Sequence, residues 1–183
     1  MKGFLSLIIF VFLLSCKSEK TDGVAKGASE ISLLNPKEVI KEDSLSLKVY
    51  DFDSFEPILY KEDNKTYVIN FWATWCKPCI EELPYFEQLL KEYKDKNVEV
   101  ILVSLDLPRM YRSHLVPFIE REKLQSEIVV LDDPKQNVWI PKVDKEWSGA
   151  IPATLIYNKN KREFFEESFD YASLEKNVQQ FLK

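Results

Sequence analysis

Two of the three cysteines in this chain of 183 residues, Cys76 and Cys79, are separated by only two residues. They follow a run of β-branched and aromatic residues, 67–72, and precede a segment whose apolar residues recur at helical spacing. The N-terminus of a helix has free N–H groups and a partial positive charge, which favour the thiolate, the reactive form of cysteine. We therefore predict that Cys76 has a lowered pKa and attacks, and that Cys79, one helical turn later, resolves the mixed disulfide.

The residues between the cysteines suit the same chemistry. Lys77 adds a positive charge beside Cys76, and Pro78 fits the first turn of a helix, where a missing N–H costs little. A zinc half-site would need further ligands, for which the chain offers one histidine, His114, and carboxylates. A purely structural disulfide would close a short loop and would constrain the unfolded chain little. We therefore predict a redox pair, with neither a metal nor a cofactor.

The third cysteine, Cys16, lies in a segment of a different character. Residues 1–3 are short and basic, and residues 4–14 are apolar except for one serine, a run too short to span a membrane. The sequence Leu-Leu-Ser-Cys at 13–16 resembles the bacterial lipoprotein signal, in which the cysteine is lipidated and becomes the new N-terminus. An uncleaved anchor and a signal cut elsewhere are the alternatives, and each of them places the rest of the chain outside the cytoplasm.

These observations divide the chain into three parts. We predict a lipoprotein signal peptide over residues 1–15, a lipidated N-terminus and flexible tether over 16–44, and one globular domain over 45–183. The length allows one domain, and 45% hydrophobic residues are typical of a chain with a packed core. A net charge of −5 leaves no basic surplus, so we expect no nucleic-acid partner.

The domain alternates strand-like and helix-like segments, recognised by apolar periods of two and of three to four residues. The predicted strands are 45–50, 67–72, 98–105, 127–131, 153–157 and 163–165. The predicted helices are 76–94, 109–123 and 171–182, and 55–60 is compatible with a short helix. This order predicts an α/β fold, a central mixed sheet flanked by helices, with parallel strands first and an antiparallel hairpin last.

The sequence around the cysteine pair resembles a known family. Residues 70–79, Asn-Phe-Trp-Ala-Thr-Trp-Cys-Lys-Pro-Cys, resemble the active-site signature of thioredoxins, and more closely that of the TlpA/ResA-like branch of secreted thioredoxin-fold proteins. Pro84 matches the helix-kinking proline of the family, and residues 149–154 match its cis-proline loop. The resemblance covers residues 45–183, is less diagnostic over 106–148, and implies a thioredoxin-like fold.

The resemblance also assigns roles to residues around the pair. Trp75 belongs to the signature, and Glu82 stands where ResA-like proteins carry a glutamate that tunes the acidity of the cysteines. Asn70 replaces the buried acid of cytoplasmic thioredoxins, and an amide cannot titrate. From the sequence alone, Glu82 is equally compatible with a solvated charge beside Glu81.

Ile151 and Pro152 form the predicted partner-binding loop. A cis X-Pro bond costs only about 0.5–1 kcal/mol, so either isomer is open from the sequence, and the resemblance implies cis. In the family this turn faces the cysteine pair, and the backbone of the residue before the proline pairs with an extended segment of the partner. Trp147, shortly before the turn, is compatible with lining that groove or with core packing.

The function that the resemblance implies is thiol-disulfide exchange in the cell envelope, by a protein that faces the periplasm or the outside. It would act on protein thiols or disulfides and would be attached to a membrane through a lipid at Cys16. We expect a reductase, because strongly oxidising relatives carry a histidine between the cysteines, and an exported reductase needs a transmembrane electron-donor protein. Cytochrome c maturation is the role that ResA-like proteins suggest. The alternatives are a peroxide-reducing thioredoxin-fold enzyme and a lipid-anchored binding module with a structural disulfide.

Overall fold

A computed structural model describes residues 35–42 and 45–182 of the chain, so Cys16 and the predicted signal peptide lie outside the described residues. The described strands are β1 Glu38–Glu42, β2 Leu45–Tyr50, β3 Thr66–Trp72, β4 Val98–Ser104, β5 Glu127–Leu131, β6 Ala153–Tyr157 and β7 Arg162–Phe165. The described α-helices are α1 Phe52–Phe55, α2 Lys77–Tyr93, α3 Val116–Glu122, α4 Gln136–Val143 and α5 Tyr171–Gln179. None of the helices within these two ranges has the length and apolar character needed to cross a bilayer.

One mixed sheet joins the seven described strands in the order β1-β2-β5-β4-β3-β6-β7. The four central strands pair in parallel, whereas β1, β6 and β7 are antiparallel additions at the two edges. The predicted α/β fold, with a central mixed sheet flanked by helices, is confirmed. The carboxyl ends of β3 and β4 and the start of β6 therefore meet at one end of the sheet, where the functional sites of such folds commonly lie.

The central strand, β3, is buried along its whole length because helices cover both faces of the sheet. Successive side chains of a strand point to opposite faces. Tyr67, Ile69 and Phe71 pack among the buried residues of α1 and α4, whereas Val68 and Trp72 pack among those of α2, α3 and α5. The sheet thus separates two hydrophobic cores.

Helix α2 begins directly after Cys76, which is its N-cap residue. Pro78 lies in the first turn, where its missing N–H breaks no intrahelical hydrogen bond. Further along, the buried side chains of Leu83, Phe86 and Leu89 recur at helical spacing and attach the helix to the sheet. The chain thus passes from the centre of the sheet into the helix through the cysteine motif.

The N-terminal boundary of the folded part differs from the prediction. Residues Glu38–Glu42 form β1 and pair with β2, although they fall within the predicted tether over 16–44. Only Ile40 is buried in this strand, and three of the other four residues are charged, so the segment has the composition of a polar linker. The domain therefore includes residue 38, upstream of its predicted start at residue 45.

The segment predicted as one helix over 109–123 is divided into three pieces. A 3-10 turn, Pro108–Met110, and a π-helical turn, Tyr111–Leu115, precede α3. Pro117 has no N–H to donate, so the regular α-helical ladder is interrupted at this position. The N–H of Val116 bonds instead to the carbonyl of Tyr111, five residues back, and this bond widens the turn.

Two short helices, α1 and α4, lie on the same face of the sheet and were outside the predicted set. Only residues 55–60 were compatible with a helix in the first region, and the structure has α1 followed by a 3-10 turn, Glu56–Tyr60. Helix α4 buries only Trp139 and Val143 and contains Pro141. Two buried positions are too few to establish a helical period in a sequence.

Candidate active site

The cysteine pair lies at the end of the sheet where β3 and β4 finish and β6 begins. Cys76 and Cys79 are joined by a disulfide, so the structure represents the oxidised state. Cys76 leaves 6% of its surface exposed and Cys79 leaves none, so an approaching sulfur atom reaches only Cys76. This difference in exposure is the one that the predicted attacking and resolving roles require.

The N-terminus of α2 can stabilise negative charge on Cys76. The Sγ atom of Cys76 lies 3.3 Å from the backbone nitrogen of Cys79 and accepts its N–H, as an N-cap side chain does. The side chain of Lys77 is 86% exposed, and its Nζ lies 3.6 Å from Oε1 of Glu81, one turn along the helix. The ammonium group of Lys77 is thus partnered by a carboxylate, which leaves the N–H groups of the helix as the main local source of positive potential.

The loop before β6 forms a second wall of the site. The peptide bond between Ile151 and Pro152 is cis, as predicted. The carbonyl oxygen of Ile151 lies 3.6 Å from Sγ of Cys76. Pro152 is buried, whereas Ile151 is only half-buried. Of the two predicted partner-binding residues, Ile151 therefore contacts the predicted attacking sulfur through its carbonyl oxygen, and Pro152 is the buried residue that follows it.

Two tryptophans near the cysteines have opposite environments. Trp75, directly before Cys76, leaves 57% of its surface exposed and forms an apolar surface next to the motif. Trp147 leaves only 5% exposed, and its ring centroid lies 4.8 Å from that of Phe71. Its indole N–H donates to the carbonyl oxygen of Ala150 at 2.8 Å. Of the two interpretations of Trp147, the structure supports core packing, with a hydrogen bond that holds the loop before the proline.

Glu82 is a buried carboxylate, one helical turn beyond Cys79. Only 1% of its surface is exposed, whereas the side chain of Glu81 is 65% exposed. Its Oε1 accepts a hydrogen bond from Nδ2 of Asn70, and its Oε2 accepts the N–H of Phe169, both at 2.8 Å. Burial raises the pKa of Glu82 to about 7, and the two hydrogen bonds oppose part of that rise. The alternative of a solvated charge is therefore wrong for Glu82.

Asn70 connects this carboxylate to the strand that follows the proline loop. Its side chain is fully buried, and Nδ2 also donates to Oγ1 of Thr154 on the neighbouring strand at 3.1 Å. Its Oδ1 has no hydrogen-bond partner in the described part of the chain. Because amides and hydroxyls do not titrate near neutral pH, Glu82 is the member of this trio that exchanges a proton there.

Asp106 also belongs to the site, although the sequence around it does not indicate this. It is 2% exposed and follows the carboxyl end of β4. Its carboxylate accepts hydrogen bonds from the N–H of Thr74 at 3.0 Å, the hydroxyl of Thr74 at 2.6 Å and the hydroxyl of Ser104 at 2.9 Å. These bonds fix the turn between β3 and Cys76. The available signal was an acid just beyond a central strand, at the end of the sheet that carries the cysteines, but no motif spacing marks it.

His114, the single histidine of the chain, is exposed on the π-helical turn before α3. Its Nδ1 lies 2.8 Å from the hydroxyl oxygen of Ser113. Over residues 35–42 and 45–182, no three side chains of the metal-binding types converge on a common point. His114 thus takes part in a local surface hydrogen bond.

The sheet order, the cysteine pair at a helix N-terminus and the proline loop opposite it define a protein of thioredoxin-like fold. Solved structures of this kind include a thiol:disulfide interchange protein of the thioredoxin family from Chlorobium tepidum TLS, with a TM-score of 0.57, 17% identity, and coverage of 82% of this chain and 97% of that one. A secreted thiol-disulfide isomerase from Corynebacterium glutamicum has a TM-score of 0.56, 16% identity, and coverage of 81% and 84%. At these identities the comparisons establish the fold alone.

The particular family is given by the sequence. Residues 44–162 match the AhpC/TSA family, and the chain belongs to that family. It is 32% identical over 110 residues to the thiol-disulfide oxidoreductase ResA of Geobacillus thermodenitrificans, covering 60% of this chain and 58% of that protein. It is 29% identical over 119 residues to the ResA protein of Halalkalibacterium halodurans, covering 65% and 62%. The matched region spans less than two thirds of these relatives' length, and it confirms the predicted resemblance to ResA-like proteins.

Proposed function

We propose that this protein is a thiol-disulfide oxidoreductase that acts on proteins through Cys76 and Cys79. The observation that carries the proposal is the placement of Cys76, which keeps 6% of its surface exposed, at a helix N-terminus with its Sγ 3.6 Å from the Ile151 carbonyl oxygen. The relatives named thiol-disulfide oxidoreductase, to which the chain is 32% and 29% identical over 110 and 119 residues, support the same chemistry.

The exchange proceeds in two balanced steps. In the reduced protein, the Cys76 thiolate attacks one sulfur of a partner disulfide, forms a mixed disulfide and releases one partner thiolate. The Cys79 thiolate then attacks Sγ of Cys76, forms the internal disulfide and releases the second partner thiolate. The partner gains two electrons and, once its thiolates are protonated, two protons, while the cysteine pair is oxidised. The reverse sequence oxidises a partner dithiol.

The proton of Cys79 needs an internal acceptor, because Cys79 has no exposed surface. Glu82 lies one helical turn further along α2, and its pKa of about 7 lets it take up or release a proton near neutral pH. We propose that Glu82 holds the Cys79 proton while Cys79 attacks the mixed disulfide. Asn70 and Phe169 orient the carboxylate through their hydrogen bonds.

Partner recognition is proposed to use the backbone of Ile151. An extended partner segment that pairs with this backbone would bring its sulfur next to Cys76, in the manner of an added β-strand. Trp75 and Pro78 are exposed beside the disulfide and offer an apolar contact to the same segment. Lys77, paired with Glu81 at 3.6 Å, lies at the exposed rim of the site.

The cellular role is proposed from the sequence. A signal peptide over residues 1–15 would direct export, and a lipid on Cys16 would hold the domain at a membrane, facing the periplasm or the outside. We propose a reducing direction, because no histidine stands between the cysteines, and hence an electron-donor protein that spans the membrane. Reduction of apocytochrome c thiols during cytochrome c maturation is the proposed use of that reducing power.

The experiment that tests the proposed function compares Cys79→Ala with Cys76→Ala. We expect Cys79→Ala to accumulate a mixed disulfide with an oxidised two-cysteine peptide, detected by mass spectrometry, because the resolving thiol is missing. Cys76→Ala is the matched control and should form no adduct, since Cys79 is fully buried. Trapping by Cys76→Ala instead would contradict the assignment of the attacking thiol.

Further measurements separate the proposal from its alternatives and test its finer parts. A reductase should have a potential for the cysteine pair below about −200 mV, whereas a strongly oxidising protein lies near −120 mV. Steady consumption of hydrogen peroxide would favour the peroxide-reducing alternative, and unreactive cysteines after reduction would favour a structural disulfide.

Mass analysis of the mature protein should find a lipid on Cys16, and Cys16→Ala should remove it.

A further inference from the structure

The loop that precedes Ile151 is held by one exposed carboxylate, that of Glu166. Its Oε2 accepts the N–H of Ser148 at 3.0 Å, and its Oε1 accepts the N–H of Ala150 at 3.2 Å. The hydroxyl of Ser148 also donates to Oε1. Three donors, two from Ser148 and one from Ala150, thus converge on a side chain that lies just after β7, far along the chain. Nothing in the proposed exchange chemistry uses Glu166 directly.

The same loop is held from the opposite side by the aromatic core. The indole N–H of Trp147 donates to the carbonyl oxygen of Ala150 at 2.8 Å. Both polar backbone groups of Ala150 are therefore engaged: the C=O by Trp147, and the N–H by Glu166 and, at 3.3 Å, by the hydroxyl oxygen of Ser148. Gly149 has a φ of +92°, and a Cβ atom there would lie 3.0 Å from Cδ1 of Ile140, so the path of the loop also depends on glycine.

These bonds matter because Ala150 directly precedes Ile151. The carbonyl oxygen of Ile151 lies 3.6 Å from Sγ of Cys76, and its backbone is the proposed docking strand for a partner. Because Ala150 is fixed at both its N–H and its C=O, the backbone of Ile151, which follows it, is held in one position. A partner then binds without first having to order the loop.

We propose that Glu166 is a positioning residue for protein substrates, which holds the Ile151 backbone in its docking position beside Cys76. This inference rests on the proposed function and extends it to the selection of substrates. A protein or peptide disulfide needs both the sulfur of Cys76 and the docking backbone, whereas a small aromatic disulfide needs only the sulfur. Loss of the Glu166 contacts should therefore weaken reaction with peptides and leave reaction with small disulfides intact.

The charge of Glu166 suits this role. The hydroxyl of Ser148 and the two loop N–H groups lower the pKa of Glu166, so the carboxylate remains ionised at neutral pH. Hydrogen bonds to an ionised acceptor are stronger than neutral ones. A glutamine at the same position can accept the Ser148 N–H through its carbonyl oxygen, but its NH₂ group cannot accept the Ala150 N–H.

The test compares graded variants of Glu166 with two substrates, an oxidised two-cysteine peptide and 5,5′-dithiobis(2-nitrobenzoic acid). We expect KM for the peptide to rise about tenfold in Glu166→Ala and about threefold in Glu166→Gln, with kcat within about twofold of wild type. The rate with the small disulfide should stay within about twofold in both variants. Glu167→Gln removes the same charge from the exposed neighbouring residue and should behave as wild type.

A second variant reaches the loop from its other side. Trp147→Phe keeps an aromatic ring in the core but removes the N–H that binds Ala150, and it should raise the peptide KM in the same way. Unchanged peptide KM in Glu166→Ala, or equal losses with both substrates, would overturn the positioning role. A wild-type protein that exchanges with neither substrate would overturn the proposed function and, with it, this assignment, so the two failures are distinguishable.

Discussion

The two faces of the central sheet have different chemistry. The cysteine face, covered by α2, α3 and α5, has the disulfide and the buried carboxylate of Glu82 in its core. The aromatic face, covered by α1 and α4, is a set of rings: centroids lie 5.7 Å apart for Phe52 and Trp139, 5.6 Å for Trp139 and Trp147, and 4.8 Å for Trp147 and Phe71. Both faces are tightly buried, but only the first combines that burial with groups that exchange electrons and protons.

This difference indicates a division of labour across one sheet. Burying aromatic rings stabilises the fold without introducing charge, by about 1.5–3 kcal/mol for a fully buried large side chain. A carboxylate whose pKa is raised by burial does the opposite, because its ionised form disfavours the folded state. The aromatic face therefore provides stability that offsets the cost of the titratable group on the cysteine face.

The largest effect should come from Trp139→Ala, which removes the ring between Phe52 and Trp147. We expect the free energy of unfolding to fall by about 3–5 kcal/mol, because the side chain is 98% buried and leaves a large cavity. The exchange rate per folded molecule should remain within about twofold of wild type. Urea unfolding and exchange with a peptide disulfide measure the two quantities, and Val138→Ala, at an exposed neighbour, is the control.

Glu82→Gln should remove the pH dependence of stability that distinguishes the cysteine face from the aromatic face. The pKa of Glu82 is raised from about 4.5 to about 7, so the folded state holds a proton that the unfolded state has lost between these values. The free energy of unfolding is therefore highest below pH 4.5 and falls by up to about 3 kcal/mol as the pH rises through 7. The amide does not titrate, so the variant should lack this loss when urea unfolding of the oxidised protein is compared at pH 5 and pH 8.

The control for this experiment is Glu81→Gln on the exposed side of the same helix turn, which should keep the pH dependence of wild type. An unchanged pH dependence in Glu82→Gln would show that Glu82 is not the titrating group. The same variant should also slow the exchange step that needs the Cys79 proton, with the greatest effect near neutral pH.

Asp106 and Asp133 form a matched pair for separating stability from reactivity. Each carboxylate accepts backbone N–H groups: Asp106 that of Thr74 at 3.0 Å, and Asp133 that of Phe52 at 3.2 Å. We expect either change to alanine to cost about 2 kcal/mol of stability, because buried or half-buried donors lose their acceptor. Only Asp106→Ala should also slow exchange, since Thr74 leads into Cys76. Equal exchange rates in the two variants would show that Asp106 has no influence on the site.

The smallest effect is expected for Lys77→Gln. The Lys77 ammonium is almost fully solvated and pairs with Glu81 at 3.6 Å, so the loss of stability should be below about 0.5 kcal/mol. The reactivity of Cys76 with iodoacetamide at pH 7 should change little, because the helix N–H groups supply most of the local positive potential. A large fall in reactivity would instead show that the side chain of Lys77 acts on the sulfur directly.

The cysteine motif and the central strands were predictable because their signals are local. Residues 67–72 are continuously apolar apart from Asn70, and the Cys76–Cys79 spacing defines a helix start with its own chemistry. The strand β1 was not predictable, because it buries a single residue, Ile40, and draws its stability from pairing with β2. A polar segment that forms a strand only by pairing with a neighbouring strand has no apolar periodicity in its own sequence.

The supporting residues of the site were hidden for a related reason. Glu166 follows β7 in a polar stretch and contacts Ser148, eighteen positions away, through a loop whose path the sequence does not specify. Asp106 and Thr74 are thirty-two positions apart and meet only because parallel strands end side by side. Glu82 was singled out by resemblance, but its burial follows from its position on the inner side of α2.

The short connector between β7 and α5, residues 166–170, touches both halves of the site. Glu166 holds the loop before Ile151, and the N–H of Phe169 binds the carboxylate of Glu82. A displacement of this connector would thus alter proton affinity and partner affinity together. Thermodynamic linkage is reciprocal, so if a docked partner changes the proton affinity of Glu82 by some factor, protonation changes the affinity for that partner by the same factor. The five residues of this connector thus lie where they can couple the release of a partner to the transfer of the Glu82 proton.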